Sequence, residues 1–312
     1  MSFPGARFVW KDGQIIPWDS ATVHVSAHGL NYGTGVFEGI RCYDTAEGPA
    51  VFRLPEHIDR LLGSAALYSM DMPYSRDQLI AACCEVVSAN ELGDCYLRPI
   101  VYLGSGSLSL FARDCPIETA IFAWAWAAYL GEGMRQGARV ITSTWRKFDS
   151  SQMPTAAKAC GQYVNSVLAA REAMAAGVDE AILVDPAGFL AEGSGENLFF
   201  VKNGVVVTNG TDAAILPGIT RLSVLQIARD AGYAVDVRPM RPAELLSADE
   251  VFFTGTAAEV TPVRELDGHP INTGEPGPVT MRLQGAFLKI VRGEVAQYRD
   301  WLTPVALTGV AA

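Results

Sequence analysis

Residues 192–197 read Glu192-Gly193-Ser194-Gly195-Glu196-Asn197, and the apolar run immediately after them decides which kind of α/β chain this is. A Gly-x-Gly opening is shared with dinucleotide-binding turns, but Leu198 stands where the third glycine of that fingerprint belongs. The apolar run Asn197–Val201 reads as a strand, whereas the fingerprint requires a helix at that point. No G-x-x-x-x-G-K-[ST] run occurs elsewhere, so neither common phosphate-loop architecture fits. The segment instead sets two carboxylates on a tight glycine turn.

Outward from this turn, strands cluster rather than alternate with helices. Arg139–Thr144, Glu180–Val184, Asn197–Val201, Val205–Thr208, Val235–Pro239 and Glu250–Thr254 read as strands, with helices over Gly161–Gly177, Thr220–Ala231 and Pro278–Arg292. Lys202-Asn203-Gly204 and Lys11-Asp12-Gly13 lie between apolar runs and predict hairpins. The first third gives strands at Arg7–Trp10, Gln14–Trp18, Gly33–Tyr43, Ala50–Leu54, Asp94–Gly104 and Ile117–Trp126, with helices from Pro55 to about Met70 and over Ser75–Asn90. The clustering predicts an α+β fold of two mixed domains. The Gly-rich, charged stretch around 129–137 reads as the linker, so the domains are expected at 1–128 and 138–312.

Composition narrows the function classes. The 312 residues carry 24 Lys+Arg against 34 Asp+Glu, a net charge of −10, with no basic block; this disfavours nucleic acid as a partner. The longest uncharged apolar run, Ala120–Leu130, has eleven residues, short of the roughly 20 needed to span a bilayer. No basic-then-apolar leader precedes it, and a cytoplasmic protein with no membrane partner is expected. Six scattered cysteines without C-x-x-C spacing and four distant histidines predict buried free thiols and no metal site.

Lysine is rare. Lys11 and Lys202 fall in hairpin turns, Lys289 near a helix end, and Lys147 in the polar stretch Trp145–Ser150, where it reads as ordinary. Lys158 differs, because Pro154-Thr155-Ala156-Ala157-Lys158-Ala159-Cys160-Gly161 surrounds it with small residues. These leave room for a ligand, and a desolvated lysine has a lowered pKa that frees its amine as a nucleophile. Two segments can hold an anion: Leu216-Pro217-Gly218-Ile219-Thr220 before an amphipathic helix, and the hydroxyl-lined turn Thr254-Gly255-Thr256-Ala257-Ala258-Glu259. Arg60, four residues from Glu56, reads as a solvated helix pair or as a third phosphate element. Arg98 lies inside the apolar strand Tyr96-Leu97-Arg98-Pro99-Ile100, on the face of Tyr96.

Taken in order, these segments resemble the branched-chain amino acid aminotransferases, L-selective members of the fold-type IV pyridoxal-phosphate enzymes. The match runs through 28–43 (HGLNYGTGVFEGIRCY), 57–65, Tyr96–Pro99, 154–161, 192–199, 216–221 and 253–264 (FFTGTAAEVTPVR). The resemblance implies the fold-type IV architecture, with the Schiff-base lysine carried by the C-terminal domain. It implies pyridoxal 5′-phosphate as cofactor and transamination between leucine, isoleucine or valine and 2-oxoglutarate. By the same resemblance Lys158 is the Schiff-base lysine, Tyr163 holds the cofactor's O3′, and Glu192 lies beside the pyridine nitrogen. Arg60 takes the phosphate with Ile219, Thr220 and Thr256, and Leu216 packs on the ring.

On the substrate side, Tyr32, Phe37, Tyr96, Trp126 and Tyr129 wall an apolar pocket and Gly39 leaves room for branching. Thr256 and Ala257 amides take the α-carboxylate, and Arg98 with Tyr32 and Tyr129 accepts glutamate's γ-carboxylate. The chain departs from the family pattern at 104–111 (GSGSLSLF), a loop that reaches the partner subunit in the family's shared homodimer. It departs again at Asn31, where histidine is usual. Both leave open aromatic amino acids and (R)-amines as side substrates. A D-amino acid or (R)-amine transaminase, or an aminodeoxychorismate lyase, is the alternative on the same fold.

Overall fold

A computed structural model describes residues 3–126 and 136–307; Tyr129 and most of the expected linker lie outside the described residues. The chain forms two units. The first takes in the chain to Ala127, Ala157–Gln162 and the stretch from Ile290; the second takes Ala128–Ala156 and Tyr163–Lys289. The chain therefore does not divide at one point. Lys158, assigned from sequence to the C-terminal half, packs with the N-terminal unit.

The first unit is built on an antiparallel sheet. Its strands are β1 (Phe8–Lys11), β2 (Gln14–Pro17), β3 (Gly35–Phe37), β4 (Ile40–Thr45), β5 (Gly48–Phe52), β6 (Cys95–Leu103) and β7 (Ile117–Ala125). The C-terminal strand Leu302–Pro304 pairs with β5, and the order is then β5-β4-β6-β7-β1-β2, with β3 also on β6. The expected Lys11-Asp12-Gly13 hairpin forms, with positive φ at Asp12 (47°) and Gly13 (91°), the conformation of a two-residue turn that follows sheet twist. Two helices cover one face: α2 (Leu54–Leu67) and α3 (Arg76–Ala89), which follow the short α1 (His28–Tyr32). Ser75 caps α3 in a reciprocal box with Gln78.

Alternation along β6 separates the two faces. Cys95, Leu97 and Val101 join Ile58, Leu61, Leu79, Cys83 and Val86 in the core, while Tyr96, Arg98, Ile100 and Tyr102 turn to the other face. The predicted single strand 33–43 is broken. Gly33 is the left-handed C-cap of α1, β3 begins only at Gly35, and the pairing stops at Glu38 and Gly39 between β3 and β4. Cys42, Cys83 and Cys95 are buried free thiols, whereas Cys84, Cys115 and Cys160 are partly exposed.

The second unit contains β8 (Ala138–Arg146), β9 (Glu180–Val184), β10 (Leu190–Gly193), β11 (Asn197–Lys202), β12 (Val205–Thr208), β13 (Val235–Val237), β14 (Glu250–Gly255), β15 (Glu259–Leu266) and β16 (His269–Pro270), preceding the strand β17 (Leu302–Pro304) of the first unit. Its order is β10-β9-β8-β15-β14-β11-β12-β13, and an additional β10–β11 pairing closes the first six into a ring. That closure is the pair Glu192↔Asn197. The sequence reading had no strand at β10 or β15. Ala191, Ile182, Leu198, Phe200 and Phe253 are among the buried residues inside the unit. Helices α4 (Tyr163–Ala175), α5 (Ile219–Asp230), α6 (Pro242–Leu246) and α7 (Pro278–Val291) complete the described helices.

Candidate active site

Lys158 is fixed to the first unit by its backbone. Phe37 N donates to Lys158 O at 2.9 Å, Lys158 N donates to Ser64 Oγ at 3.0 Å, and Val36 bridges Ala159. Gly161 N donates to Gly33 O at 3.1 Å. A Cβ on Gly33 would stand 2.7 Å from Gly161 Cα, and the φ of +71° at Gly33 suits glycine alone. The small residues around the lysine thus serve a close backbone approach. Its Nζ lies 5.1 Å from the centroid of the Phe37 ring. Burial, then the Arg60 guanidinium, lower the Lys158 pKa to about 8, with Glu38 acting in the opposite direction.

Arg60 is not paired with Glu56, which instead meets Arg53 at 2.5 Å. Its Nε and Nη2 donate to the two oxygens of Glu38 at 2.7 and 2.8 Å, and His57 Nδ1 lies 2.7 Å from Glu38 Oε2. Glu38 is fully buried. Despite that burial, Arg60 and His57 hold its carboxyl far below the usual carboxylate range. Burial pushes His57 down, which favours the neutral ring. Neither Glu38 nor His57 was singled out from sequence. The available signal was a lone charge between Phe37 and Ile40 in an apolar strand, at the point where pairing breaks.

Around Lys158 the same unit gathers several expected substrate residues. Arg98 Cζ lies 4.6 Å from the Phe37 ring and 5.6 Å from the Tyr96 ring, and Arg98 Nε is buried without a hydrogen-bond partner. Tyr96 packs on Trp124 and Trp126 at centroid distances of 5.0 and 5.3 Å. The space left by Gly39 is filled: a Cβ there would stand 1.9 Å from Tyr96 Oη. Tyr32 turns elsewhere, donating its hydroxyl to Leu108 O at 3.0 Å.

In the second unit, Glu192 Oε1 lies 2.7 Å from Lys147 Nζ, both side chains nearly buried. Glu192 Oε2 accepts from Leu216 N at 3.0 Å and from Asn197 Nδ2 at 3.2 Å. Asn197 Nδ2 also donates to Leu216 O at 2.9 Å. Lys147, read from sequence as an ordinary polar residue, is therefore an internal ion-pair partner. β8 shifts register between Thr142 and Arg146, and Lys147 N donates to Val184 O, which turns the side chain inward. Glu196, the other carboxylate of the turn, has no such cation among the described residues. Burial and the neighbouring Glu180 push its pKa well up, and Glu180 is raised by burial as well. The ion-paired carboxylate of the turn is therefore Glu192.

The N-terminus of α5 is open. Gly218 is its N-cap and supplies no side-chain bond, so the amides of the first turn, Ile219 and Thr220 among them, lack a side-chain cap, an arrangement that suits an anion. Gly218 also has no room for a side chain, since a Cβ would meet Asn197 Oδ1 at 1.9 Å. Leu216 precedes this turn, Thr256 and Ala257 lie in the connection from β14 to β15, and Tyr163 opens α4. All four are partly exposed. Asn197 thus links the carboxylate to the open helix end. It is a site residue the sequence reading missed.

Known proteins resemble this chain over nearly its whole length. The family profile of the class IV amino-transferases matches residues 35–266. A branched-chain-amino-acid aminotransferase of Pseudomonas aeruginosa is 45% identical over 95% of this chain and 97% of its own length. The structure of the T.th. branched-chain amino acid aminotransferase complexed with N-(5′-phosphopyridoxyl)-L-glutamate aligns with TM-score 0.93 and 47% identity, covering 96% of this chain and 99% of that one. The Escherichia coli branched-chain amino acid aminotransferase aligns with TM-score 0.93 at 42% identity over 96% of this chain and all of its own. With the profile spanning most of the chain and full-length relatives at this identity, the chain belongs to the class IV aminotransferases of fold-type IV, in the branched-chain amino acid aminotransferase group.

Proposed function

We propose that this protein transfers an amino group between leucine, isoleucine or valine and 2-oxoglutarate, using pyridoxal 5′-phosphate. The residues fit that cofactor on three counts. A lysine amine is poised at a pKa of about 8, a buried carboxylate is paired with Lys147, and a helix N-terminus without a side-chain cap suits a phosphate. When bound, pyridoxal phosphate supplies an electron sink that lets the substrate's Cα–H bond break as a proton.

In this reading Lys158 holds the cofactor covalently and then carries the proton at the substrate Cα, for which an amine titrating near neutrality is suited. Arg60, fixed by Glu38, takes the phosphate with Ile219, Thr220 and Thr256. Glu192 faces the ring nitrogen, Tyr163 holds the phenolic oxygen, and Leu216 covers the ring. Phe37, Tyr96 and Trp126 exclude water from an aliphatic side chain, and the Thr256 and Ala257 amides receive the α-carboxylate. The observation that carries the substrate assignment is the placement of Arg98. A buried guanidinium atom without a partner lies against an aromatic wall, so one site offers apolar contact to leucine and a cation to glutamate's second carboxylate.

The same reading makes the protein a cytoplasmic homodimer. Val25, Leu30, Leu110 and Phe111 are exposed, and Leu30 also lines a cavity of about 480 Å³ with Val23, Ile100 and Phe122 among others, apolar surface suited to a second copy. Among the described residues no helix is long and apolar enough to cross a membrane. A panel of amino donors with 2-oxoglutarate as acceptor tests the proposal. Leucine, isoleucine and valine should lead by at least tenfold over D-amino acids and (R)-amines, and preference for either of those groups would overturn it.

A further inference from the structure

Among the described residues Glu192 makes three polar contacts through its carboxylate. Two are to its Oε2, from Leu216 N and Asn197 Nδ2. The third, to Oε1, is the ammonium of Lys147 at 2.7 Å. Lys147 is 7% exposed and Glu192 likewise 7%, so neither charge is shared with bulk water. The other charged groups facing this carboxylate do not replace the lysine. Glu180 and Glu196 are themselves acids, both raised by burial, and Asn197 is neutral. Lys147 also lies 4.6 Å from the centroid of the Phe148 ring, a second contact on its ammonium.

We propose that Lys147 is a positioning residue of the reaction, pairing with Glu192 and fixing the orientation of its carboxylate so that it can meet the ring nitrogen of the cofactor. The inference rests on the proposed transamination. A buried carboxylate with amide donors on one oxygen only is free to rotate once its cation is gone, and its charge is then uncompensated. With the lysine in place, the charge and the direction of the free lone pair are both set before any ligand arrives. The register shift in β8 that turns Lys147 inward is thus part of the catalytic apparatus. Lys147 touches no reacting atom in this scheme; it acts through Glu192.

The test uses the full-length protein as Lys147→Met, Lys147→Gln and Lys147→Arg. Binding of pyridoxal 5′-phosphate to cofactor-free protein is followed by quenching of tryptophan fluorescence, a readout independent of turnover. The pH profile of the visible absorbance of loaded protein and the steady-state constants for leucine are measured alongside. Lys147→Met and Lys147→Gln should each lose on the order of ten- to a hundredfold in kcat, as when partners that orient a site ligand are removed, with KM for leucine within about threefold. The absorbance profile should move by roughly one pH unit. Lys147→Arg should recover most of both.

Wild-type affinity and an unmoved profile in Lys147→Met would overturn the inference, as would an arginine variant as impaired as the methionine one. The uncharged glutamine variant decides the matter where the methionine variant does not fold. Wild-type protein that binds the cofactor but leaves leucine untouched overturns the substrate reading alone, and the binding and absorbance arms still decide the role of Lys147.

Discussion

Arg60 and Glu38 form a two-pronged ion pair, Nε and Nη2 on the two carboxylate oxygens at 2.7 and 2.8 Å, with His57 on the same carboxylate. The pair fixes the guanidinium that the functional reading aims at a phosphate. Removing the acid takes the two-pronged carboxylate partner from a largely buried guanidinium, and breaking such a pair costs about 3–5 kcal/mol. Glu38→Ala should therefore lower the melting temperature of the cofactor-free protein by well over 5 °C. It should also weaken pyridoxal phosphate binding more than Glu56→Ala does, as calorimetry and a binding titration would show.

Acid should act on this cluster in two stages. His57 is lowered by burial, so it favours the folded state above its unfolded pKa of about 6.5, and that stabilisation is lost as pH falls. Against its burial, Arg60 and the hydrogen-bonded His57 lower Glu38, so its contribution is complete above an unfolded pKa of about 4.3 and is lost at lower pH. Melting temperature against pH should therefore decline gently below about pH 6.5 and steeply below about pH 4. Replacing His57 with Gln should flatten only the first decline.

Lys158 has the opposite charge and the same sense of linkage. Its folded pKa of about 8 lies below the ordinary lysine value of about 10.4, so below pH 8 the cofactor-free protein bears a strained cation. Lys158→Met should stabilise that form near pH 7 by on the order of 1–3 kcal/mol while abolishing transamination. Near-normal turnover by this variant would remove the core of the functional reading.

Arg98 should separate the two half-reactions. Leucine brings no charge to the far end of the pocket, whereas 2-oxoglutarate brings a second carboxylate, whose burial without a partner costs roughly 2–5 kcal/mol. Arg98→Met should impair the half-reaction with 2-oxoglutarate by about 30-fold to several thousandfold and leave that with leucine within about tenfold. Single-turnover absorbance changes measure each half. Equal losses would mean that Arg98 serves only the packing of Phe37 and Tyr96.

Gly39 and Tyr96 should behave as one unit. A methyl at 39 collides with the Tyr96 hydroxyl, an overpacking that costs about 1–3 kcal/mol. Gly39→Ala should lower kcat/KM for leucine, and Gly39→Ala with Tyr96→Phe should recover part of the loss. Additive losses in the double variant would show that the two positions act separately.

Local chemistry was legible in the sequence wherever neighbours along the chain impose it. The Lys11-Asp12-Gly13 and Lys202-Asn203-Gly204 turns, the capped helix at Ser75 and the alternating face of β6 all follow from adjacent residues. The small residues around Lys158 also marked a place where something must approach closely. What the sequence could not express was which distant charges meet. Lys147 and Glu192 are 45 positions apart, and only the register shift in β8 and the β10–β11 closure bring them to 2.7 Å. Arg60 had a sequence neighbour in Glu56, yet the fold gave it Glu38, because the break between β3 and β4 turns that carboxylate inward onto α2. Backbone shape and apolar periodicity are short-range properties, written residue by residue. Charge pairing in a buried site is long-range, since a desolvated ion takes whichever opposite charge the packing presents.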